Sequence, residues 1–302
     1  MITVMGATGH TGRQIVEILL GAGEPVRALA RTESKLAPLA RAGAEALAGD
    51  AADTTFLARA FRGARAVYTL LPTDRAAPDY RAEQDRQGEA IVGAVRASGV
   101  RYVVALSSVG ADLSEGTGVI AGLHAQEERL RELADTNVLL LRPVSFFENF
   151  YDMLPLIKQE GIIVDSVAPT LAVPMVATRD VAAVAAQALR RRDWTGVAVR
   201  ELLGPGDLSY AEATRILGEG IGKPDLAYVP LPYGEMVRAL TEAGLSASFA
   251  TLYVAMTRAF NDGRVKPHGG RSAANTTPTR FEDFAVEFAH AYHAAPSAAA
   301  VD

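Results

Sequence analysis

The chain contains no cysteine and only one tryptophan among its 302 residues. Without thiols it can form no disulfide bond, use no thiol nucleophile and hold no cysteine-ligated metal. It also lacks an apolar run long enough to span a membrane. The amino terminus has no basic region and enters an apolar segment directly, so we expect no signal peptide and a cytoplasmic location.

Positive charge is in short supply as well. The 30 lysines and arginines are outnumbered by 35 aspartates and glutamates, which gives a net charge of -5. This balance argues against nucleic acid or an anionic membrane as the main partner. No Gly-x-Ser-x-Gly turn is present, so a hydrolase nucleophile of that type is missing. His290 and His293 have the spacing of a metal-binding pair but no evident third ligand, and we predict no metal site.

A glycine-rich turn stands at the amino terminus, between an apolar run and a helical pattern. Residues 2–5 are apolar, Gly6, Gly9 and Gly12 follow, and apolar residues then recur at helical spacing. A strand, a tight turn and a helix in this order aim free backbone N–H groups and a helix dipole at a pyrophosphate. Gly6 is expected to permit the turn, Gly9 to let the backbone approach the phosphates, and Gly12 to let the helix pack closely on the strand.

The rest of the chain alternates between apolar strands and amphipathic helices. Further strands are predicted at residues 25–30, 44–48, 66–71, 101–106, 137–141 and 197–202. Such alternation indicates an α/β fold of the Rossmann type, with a doubly wound parallel sheet covered by helices on both faces. Residues 1–150 and 175–203 are predicted to form the dinucleotide-binding domain. Residues 151–174 and 204–302 are predicted to form a smaller, mainly helical α/β lobe.

Several boundaries in this pattern can be tested. A helix is predicted over residues 127–134, and a short strand over residues 171–173. Capping boxes at Ser209–Glu212 and Thr279–Glu282 predict two helix starts. Residues 294–302 read as a frayed tail.

Ligands of a doubly wound sheet lie at the carboxyl ends of its strands. The residues that follow the predicted strands are therefore the candidate site residues: residues 6–12, Arg31, Asp50, residues 71–73, Ser107, Ser108 and residues 143–147. The second strand ends at Arg31, with Lys35 and Arg27 nearby, and not at an acidic residue. A guanidinium group there suits the 2′-phosphate of NADP, so we predict NADPH. For Arg27 and Lys35 the alternative is a solvated surface charge.

The motifs resemble those of the NmrA-like family of atypical short-chain dehydrogenase/reductases. The similar segments are Gly6–Gly12, Pro25–Arg31, Gly49-Asp50, Leu141–Asn149 and Val173–Val181, and the resemblance covers essentially the whole chain. It is closest to the branch of NADPH-dependent quinone reductases and triphenylmethane-dye reductases. It implies that Thr8, His10, Thr11, Arg31, Asp50, Leu71 and Pro143 lie along the cofactor. Pro72, Ser107 and Phe146 are expected beside them.

One departure concerns the proton donor. Ordinary short-chain dehydrogenases use a Tyr-x-x-x-Lys pair, whereas the corresponding positions here are Ile120 and His124. Alcohol–ketone exchange needs a proton donor for the developing alkoxide, so that reaction is not expected. His124 either lies near the nicotinamide, to orient the ribose or to protonate a reduced quinone oxygen, or bonds the backbone at a helix start.

The remaining candidates have two readings each. Ser108 is a catalytic candidate that touches substrate or cofactor, or it forms a turn. Phe146, Phe147 and Tyr151 wall an aromatic pocket, with Phe147 and Tyr151 against the substrate, or they pack in the core.

Two functions are consistent with these residues. The first is an NADPH-dependent reductase of a small conjugated, aromatic or quinone-like acceptor. The second is a non-catalytic NADP(H)-binding regulator that senses redox state and binds a partner protein. The alanine-rich late helices and the apolar carboxyl-terminal lobe could serve a homodimer or a pocket lid.

Overall fold

A computed structural model describes residues 1–294. Its centre is a seven-stranded parallel sheet with the strand order β10-β6-β5-β4-β1-β2-β3. These strands are β1 (Ile2–Val4), β2 (Val26–Ala30), β3 (Glu45–Ala48), β4 (Ala66–Thr69), β5 (Tyr102–Leu106), β6 (Asn137–Pro143) and β10 (Val197–Leu202). The predicted Rossmann-type fold is confirmed. Of the tail predicted at residues 294–302, residues 295–302 lie outside the described residues.

Helices cover both faces of this sheet, as the nearly continuous apolar strands require. One face carries α1 (His10–Gly21), α2 (Glu33–Arg41) and α7 (Thr178–Arg191), and the other carries α3 (Thr54–Phe61), α4 (Tyr80–Ser98) and α5 (Ile120–Arg131). Two apolar clusters, one on each side, form the core. Leu141 lies opposite Leu106 in the β5–β6 pairing, so the segments that follow these strands emerge at the same edge.

The chain leaves the sheet after β6 and builds a smaller lobe. This lobe contains β7 (Ser145–Phe146), a 3₁₀ helix (Phe147–Met153), α6 (Leu154–Glu160), β8 (Ile162–Asp165) and β9 (Val173–Val176). After α7 and β10 it is completed by β11 (Asp207–Leu208), α8 (Tyr210–Gly220), β12 (Ala227–Pro230), α9 (Tyr233–Glu242), α10 (Ala247–Asn261) and α11 (Phe281–His293). Within residues 1–294, no helix has both the length and the apolar character needed to cross a bilayer.

Some predicted boundaries differ from the observed ones. The helix predicted to begin at Glu127 begins at Ile120, because the glycine-rich segment before it conceals the periodicity of its first two turns. The strand predicted at residues 171–173 is β9, which lies slightly later. Ser209 and Glu212 form the expected capping box.

The second predicted capping box is wrong by one residue. Arg280 and Asp283 cap α11, whereas Thr279 donates from both its backbone N–H and its hydroxyl to the carboxylate of Asp180. A tertiary hydrogen bond across 99 residues has therefore replaced the local cap.

Candidate active site

The glycine turn has the geometry that its sequence predicts. Gly6 has φ +62°, a left-handed conformation that favours glycine. A Cβ at Gly12 would overlap the carbonyl oxygen of Gly6, so glycine is required where α1 crosses the turn. Gly9 is the N-cap of α1, and neither a side-chain cap nor an acidic residue occupies this helix start. The N–H groups of the first turn can therefore face an anion.

A groove runs from this turn along the carboxyl edges of β1, β2 and β3. It encloses about 780 Å³ of empty space, part of it open to solvent. Its walls include the glycine turn, the exposed Arg31 and residues that follow β3 and β4. The lining residues are Met5, Gly6, Thr8, Gly9, Thr11, Leu29, Ala30, Arg31, Gly49, Ala51, Phe56, Leu57, Leu70, Pro72 and Thr73.

The other charged candidates lie near the groove but outside its walls. Lys35 is exposed on α2. Asp50 uses its carboxylate to accept from the N–H of Ala52 at 2.9 Å. Arg27 points away: it donates to the carbonyl of Ala60 and pairs with Glu45. Arg31 is thus the arginine that the structure brings to the groove.

His10 and Thr11 make contacts beyond the groove. The Tyr68 hydroxyl donates to the buried hydroxyl of Thr11 over 3.2 Å. Burial raises the pKa of Tyr68, so it remains a neutral donor. The His10 ring stacks on Tyr151 with 6.1 Å between ring centroids. The start of α1 is therefore tied both to the sheet and to the smaller lobe.

A second cavity, which we call the acceptor cavity, adjoins the groove. The two share Leu70 and Thr73, and the acceptor cavity encloses about 1020 Å³ of empty space that is partly open to solvent. Its walls are mostly apolar and include three aromatic rings. They are formed by Leu70, Leu71, Thr73, Tyr80, Gln84, Leu106, Ser107, Ser108, Val119, Ile120, Leu123, Pro143, Val144, Ser145, Phe146, Asn149, Met256 and Phe260.

Many of the residues predicted to follow strand ends line the acceptor cavity. Leu71, Ser107, Ser108, Pro143 and Phe146 come from three different strand ends and line one cavity. The Ser108 hydroxyl donates to the carbonyl of Val109 at 2.9 Å, which is a turn-forming contact. Ser108 therefore lines the cavity while its hydroxyl is engaged locally.

Ile120 lines the acceptor cavity, whereas His124 is not among the lining residues. His124 lies one turn further along α5, and its Nδ1 is 2.9 Å from the carbonyl oxygen of Ala111. A carbonyl oxygen accepts, so Nδ1 carries the proton in this contact and a ligand would have to use Nε2. The contact is the backbone hydrogen bond expected as the alternative role of His124.

Phe147 and Tyr151 are predicted beside the substrate, but the structure gives both rings a packing role. Phe147 is 2% exposed and packs edge-on against Phe281 at 5.0 Å between centroids. Tyr151 stacks on Phe288 at 5.6 Å. The 3₁₀ helix that carries both residues packs these rings against α11, and neither residue is among those that line the acceptor cavity.

A model of the NmrA-like family matches residues 1–285. The chain belongs to this family. A relative from Streptomyces griseus, the (4-alkanoyl-5-oxo-2,5-dihydrofuran-3-yl)methyl phosphate reductase, is 34% identical over 226 residues, which are 74% of this chain and 75% of the relative.

Two solved structures share the fold. The NADPH-dependent quinone oxidoreductase of Escherichia coli, solved with NADPH, has a TM-score of 0.78 at 21% identity and covers 95% of this chain and 99% of its own. The triphenylmethane reductase of Citrobacter sp., solved with NADP(H), has a TM-score of 0.78 at 22% identity and covers 96% and 100%. The predicted family and its branch are both represented among these similar proteins.

Several residues that line the acceptor cavity of this NmrA-like chain were not among those predicted from the sequence. Tyr80 and Gln84 lie at the start of α4, the helix that follows β4, and this place in the chain is the signal that could have identified them. Met256 and Phe260 come from α10, far along the chain from the predicted site residues, and no local pattern marks them.

Proposed function

We propose that this protein is an NADPH-dependent oxidoreductase that transfers a hydride to a small conjugated, aromatic or quinone-like acceptor. The observation that carries the proposal is that two spaces adjoin. A groove at the glycine turn lies next to an apolar, aromatic-walled cavity, and Leu70 and Thr73 line both. A dinucleotide in the groove would therefore reach the place where a planar ring fits.

The groove residues fit the cofactor. Gly6 and Gly12 form a cradle that a Cβ would fill, and the first turn of α1 has N–H groups with no side-chain cap. The exposed Arg31 at the groove would hold a 2′-phosphate through charge-assisted hydrogen bonds. Thr8, His10, Thr11, Lys35, Asp50, Leu71, Pro72, Ser107, Pro143 and Phe146 complete the proposed cofactor site. The bound reduced nicotinamide would supply a hydride.

The acceptor cavity is suited to orienting the acceptor and excluding water rather than to acid catalysis. Tyr80, Phe146 and Phe260 present rings to it, and Ile120 stands where ordinary short-chain dehydrogenases have tyrosine. Stacking a planar acceptor in such a cavity and excluding water favours reaction through proximity. A quinone or a cationic conjugated carbon accepts hydride without prior protonation by a strong acid.

Two residues are proposed to act nearest the chemistry. Ser108 lies in the cavity wall. His124 would act through Nε2, or it would hold the loop at Ala111 that follows Ser108. The Ser107 hydroxyl donates to Glu127 and keeps this strand end in place.

The proposal extends to the organisation of the chain. Residues 1–150 and 175–203 would bind the dinucleotide, and residues 151–174 and 204–302 would cover the acceptor. The protein would act in the cytoplasm on a small aromatic molecule, with a homodimer as its assembly. The reductases among its relatives support this choice over a non-catalytic regulator, as does an aromatic cavity at the end of the groove.

Stopped-flow oxidation of bound NADPH by a panel of quinones and conjugated dyes tests the function. We expect at least one acceptor to accelerate cofactor oxidation far above the rate in buffer. If no acceptor does so while NADPH binds tightly, the enzyme proposal is wrong and the regulator is favoured.

A further inference from the structure

A third space, which we call the tyrosine cavity, lies behind the acceptor cavity. The two share Ser145, Asn149, Met256 and Phe260 in their walls. The tyrosine cavity encloses about 670 Å³ of empty space, partly open to solvent, and reaches into the smaller lobe. An acceptor that extends past these four shared residues would reach the tyrosine cavity.

A buried carboxyl group lies in its wall. Asp165 ends β8 and is 4% exposed. The N–H of Ser166 donates to its Oδ1 over 2.6 Å, and the Tyr253 hydroxyl donates to its Oδ2 over 2.6 Å. Tyr253 belongs to α10, lines the same cavity and is only half-buried. Asp165 and Tyr253 therefore lie side by side in the wall of the same cavity, joined by a hydrogen bond.

Burial shifts the proton equilibrium of Asp165 toward its protonated form. Burial raises the pKa of Asp165, and the hydrogen bonds from Tyr253, Ser166 and Val167 offset this only in part. Burial likewise raises the pKa of Tyr253, and the charge of Asp165 adds to the rise. When Asp165 is protonated, the direction of its hydrogen bond with Tyr253 reverses, and the carboxylic acid donates to the phenol oxygen.

The neighbouring titratable groups are phenols and one surface ion pair. Tyr210 of α8 lines the cavity and bonds Ser145, while Tyr228 of β12 donates to the carbonyl of Val167 at 2.6 Å. Arg75 also lines the cavity and pairs with Asp152 over 2.7 Å, and both of these side chains are half exposed.

Resting on the proposed function, we infer that Tyr253, supplied by the Asp165 carboxyl group, is the catalytic proton donor to the reduced acceptor. As the acceptor takes a hydride, with its two electrons, from the reduced nicotinamide, negative charge develops on its oxygen. That oxygen takes the Tyr253 proton while the Tyr253 oxygen takes the Asp165 proton. Asp165 ends as a carboxylate and recovers its proton from water.

A structural role alone would explain less. An aspartate that only closes the turn after β8 needs its backbone hydrogen bonds, but it does not need a phenol from a distant helix that faces a cavity. Tyr253 contacts the Asp165 carboxyl group and also lines the tyrosine cavity, as a proton relay requires.

Two acceptors separate the role of Tyr253 from hydride transfer itself. Menadione needs a hydride and a proton, whereas malachite green, a cationic triphenylmethyl dye, is neutralised by hydride alone. In single turnovers with NADPH, we expect Tyr253→Phe to slow menadione reduction about a hundredfold, the range of general acid catalysis. Malachite green reduction should change less than about threefold, a factor too small for a lost general acid. The rate with menadione should also fall in D₂O for the wild type and lose this sensitivity in the variant.

Tyr228→Phe is the matched control. It removes a phenol that also lies near Asp165 but is not among the cavity-lining residues, and it should leave both reductions unchanged. Asp165→Asn should reproduce the selective loss with menadione and abolish the pH dependence of that reaction. Equal loss with both acceptors in Tyr253→Phe and Asp165→Asn would indicate a structural role and overturn the inference.

A binding measurement without NADPH gives a second readout. The phenol 4-nitrophenol has an oxygen like that of a reduced quinone, and its absorbance reports ionisation. We expect wild-type protein to bind its neutral form and Tyr253→Phe to weaken binding about tenfold, the loss of one hydrogen bond. Unchanged binding and unchanged menadione reduction would overturn the inference. If the wild type reduces neither acceptor, the proposed function fails, and the 4-nitrophenol result alone decides whether Tyr253 donates to a ligand.

Discussion

Glu127 and Arg142 form a bidentate ion pair that is almost completely removed from solvent. Arg142 Nε lies 2.8 Å from Glu127 Oε1, and Nη2 lies 2.6 Å from Oε2. The Ser107 hydroxyl donates to the same Oε1 over 2.5 Å. Hydrogen bonding to Glu127 raises the pKa of Arg142, against the opposing effect of burial. The pair joins α5 to β6 directly beneath the wall of the acceptor cavity.

Removing one partner of this pair should be costly. Glu127→Leu leaves the buried Arg142 guanidinium with only the 3.7 Å contact to Asp112, and we expect a loss of about 3–5 kcal/mol in the free energy of unfolding. The double variant Glu127→Leu/Arg142→Met should recover most of that loss, since an apolar pair of similar volume replaces two buried charges. Urea unfolding followed by circular dichroism measures both values.

The surface pair Arg215 and Glu219 is the control for this comparison. Both side chains are more than half exposed, so Glu219→Ala should cost less than about 1 kcal/mol. A Glu127→Leu variant as stable as Glu219→Ala would contradict the assignment of a tightly coupled buried pair.

Asp165 should make the protein less stable as the pH rises. Its carboxyl group ionises near 3.8 in the unfolded chain, and burial raises the pKa in the folded protein. The folded state therefore binds more protons between the two values, and the free energy of unfolding falls as the pH rises through that window. The Asp165→Asn variant has no carboxyl group to ionise, so its free energy of unfolding should not fall in this way. Its stability relative to wild type should therefore increase from pH 4 upward, until the pH exceeds the pKa of Asp165 in the folded protein. Parallel curves for the two proteins in urea titrations would contradict it.

Asp112 should have the opposite effect on the pH dependence of stability. Burial alone would raise its pKa, but the hydrogen bond with His268 and the charge of Arg142 lower it overall below 3.8. Its contribution to stability is present above 3.8 and is lost as the pH falls through the lowered pKa. Asp112→Asn should therefore be destabilised relative to wild type at neutral pH and approach it in strong acid. The same urea titrations, extended to low pH, measure this difference.

The sequence was sufficient for the parts of the fold that depend on local pattern. Buried parallel strands read as continuous apolar runs, and glycines with a steric requirement, such as Gly6 and Gly12, mark the turn where they are needed. Because parallel strands end at one edge, residues such as Ser107 and Pro143 could be placed together from the order of the strands alone. The groove and half of the acceptor cavity followed from this rule.

The other half depends on pairings that no local pattern encodes. β8 pairs with β12, which lies far along the chain, and this brings the Asp165 turn beside α10 and its Tyr253. A tyrosine on an amphipathic helix looks the same whether it packs in a core or faces a cavity. Phe147 and Tyr151 illustrate the converse case, because their position after a strand end suggested the cavity, whereas the 3₁₀ helix packs their rings against α11.

Because α1 packs closely against the glycine turn, one methyl group added at Gly12 should lower the stability of the protein. Gly12→Ala places a Cβ against the Gly6 carbonyl oxygen, and we expect a loss of about 1–3 kcal/mol in stability together with weakened NADPH binding. Gly21→Ala is the matched control at the other end of the same helix, where a Cβ meets nothing within 4 Å. It should be neutral or stabilising by up to about 1 kcal/mol. Thermal unfolding and fluorescence titration with NADPH measure the two effects, and similar behaviour of both variants would contradict the steric argument.

The position of Arg31 predicts that the protein binds NADPH more tightly than NADH. Its guanidinium group lies exposed at the groove, where the 2′-phosphate of NADPH would neutralise it and the 2′-hydroxyl of NADH would not. A hydrogen bond to a charged group contributes about 1.5–3 kcal/mol, so Arg31→Asp should weaken NADPH binding about 10- to 100-fold and NADH binding only slightly. Arg41→Asp makes the same change of charge on an exposed residue at the far end of α2 and should leave both affinities within about twofold, since surface charges are screened over that distance. Isothermal titration calorimetry with each cofactor gives the ratio. If Arg31→Asp weakened the binding of NADPH and NADH equally, Arg31 would not determine a preference for NADPH. Any preference would then have to come from other residues of the groove.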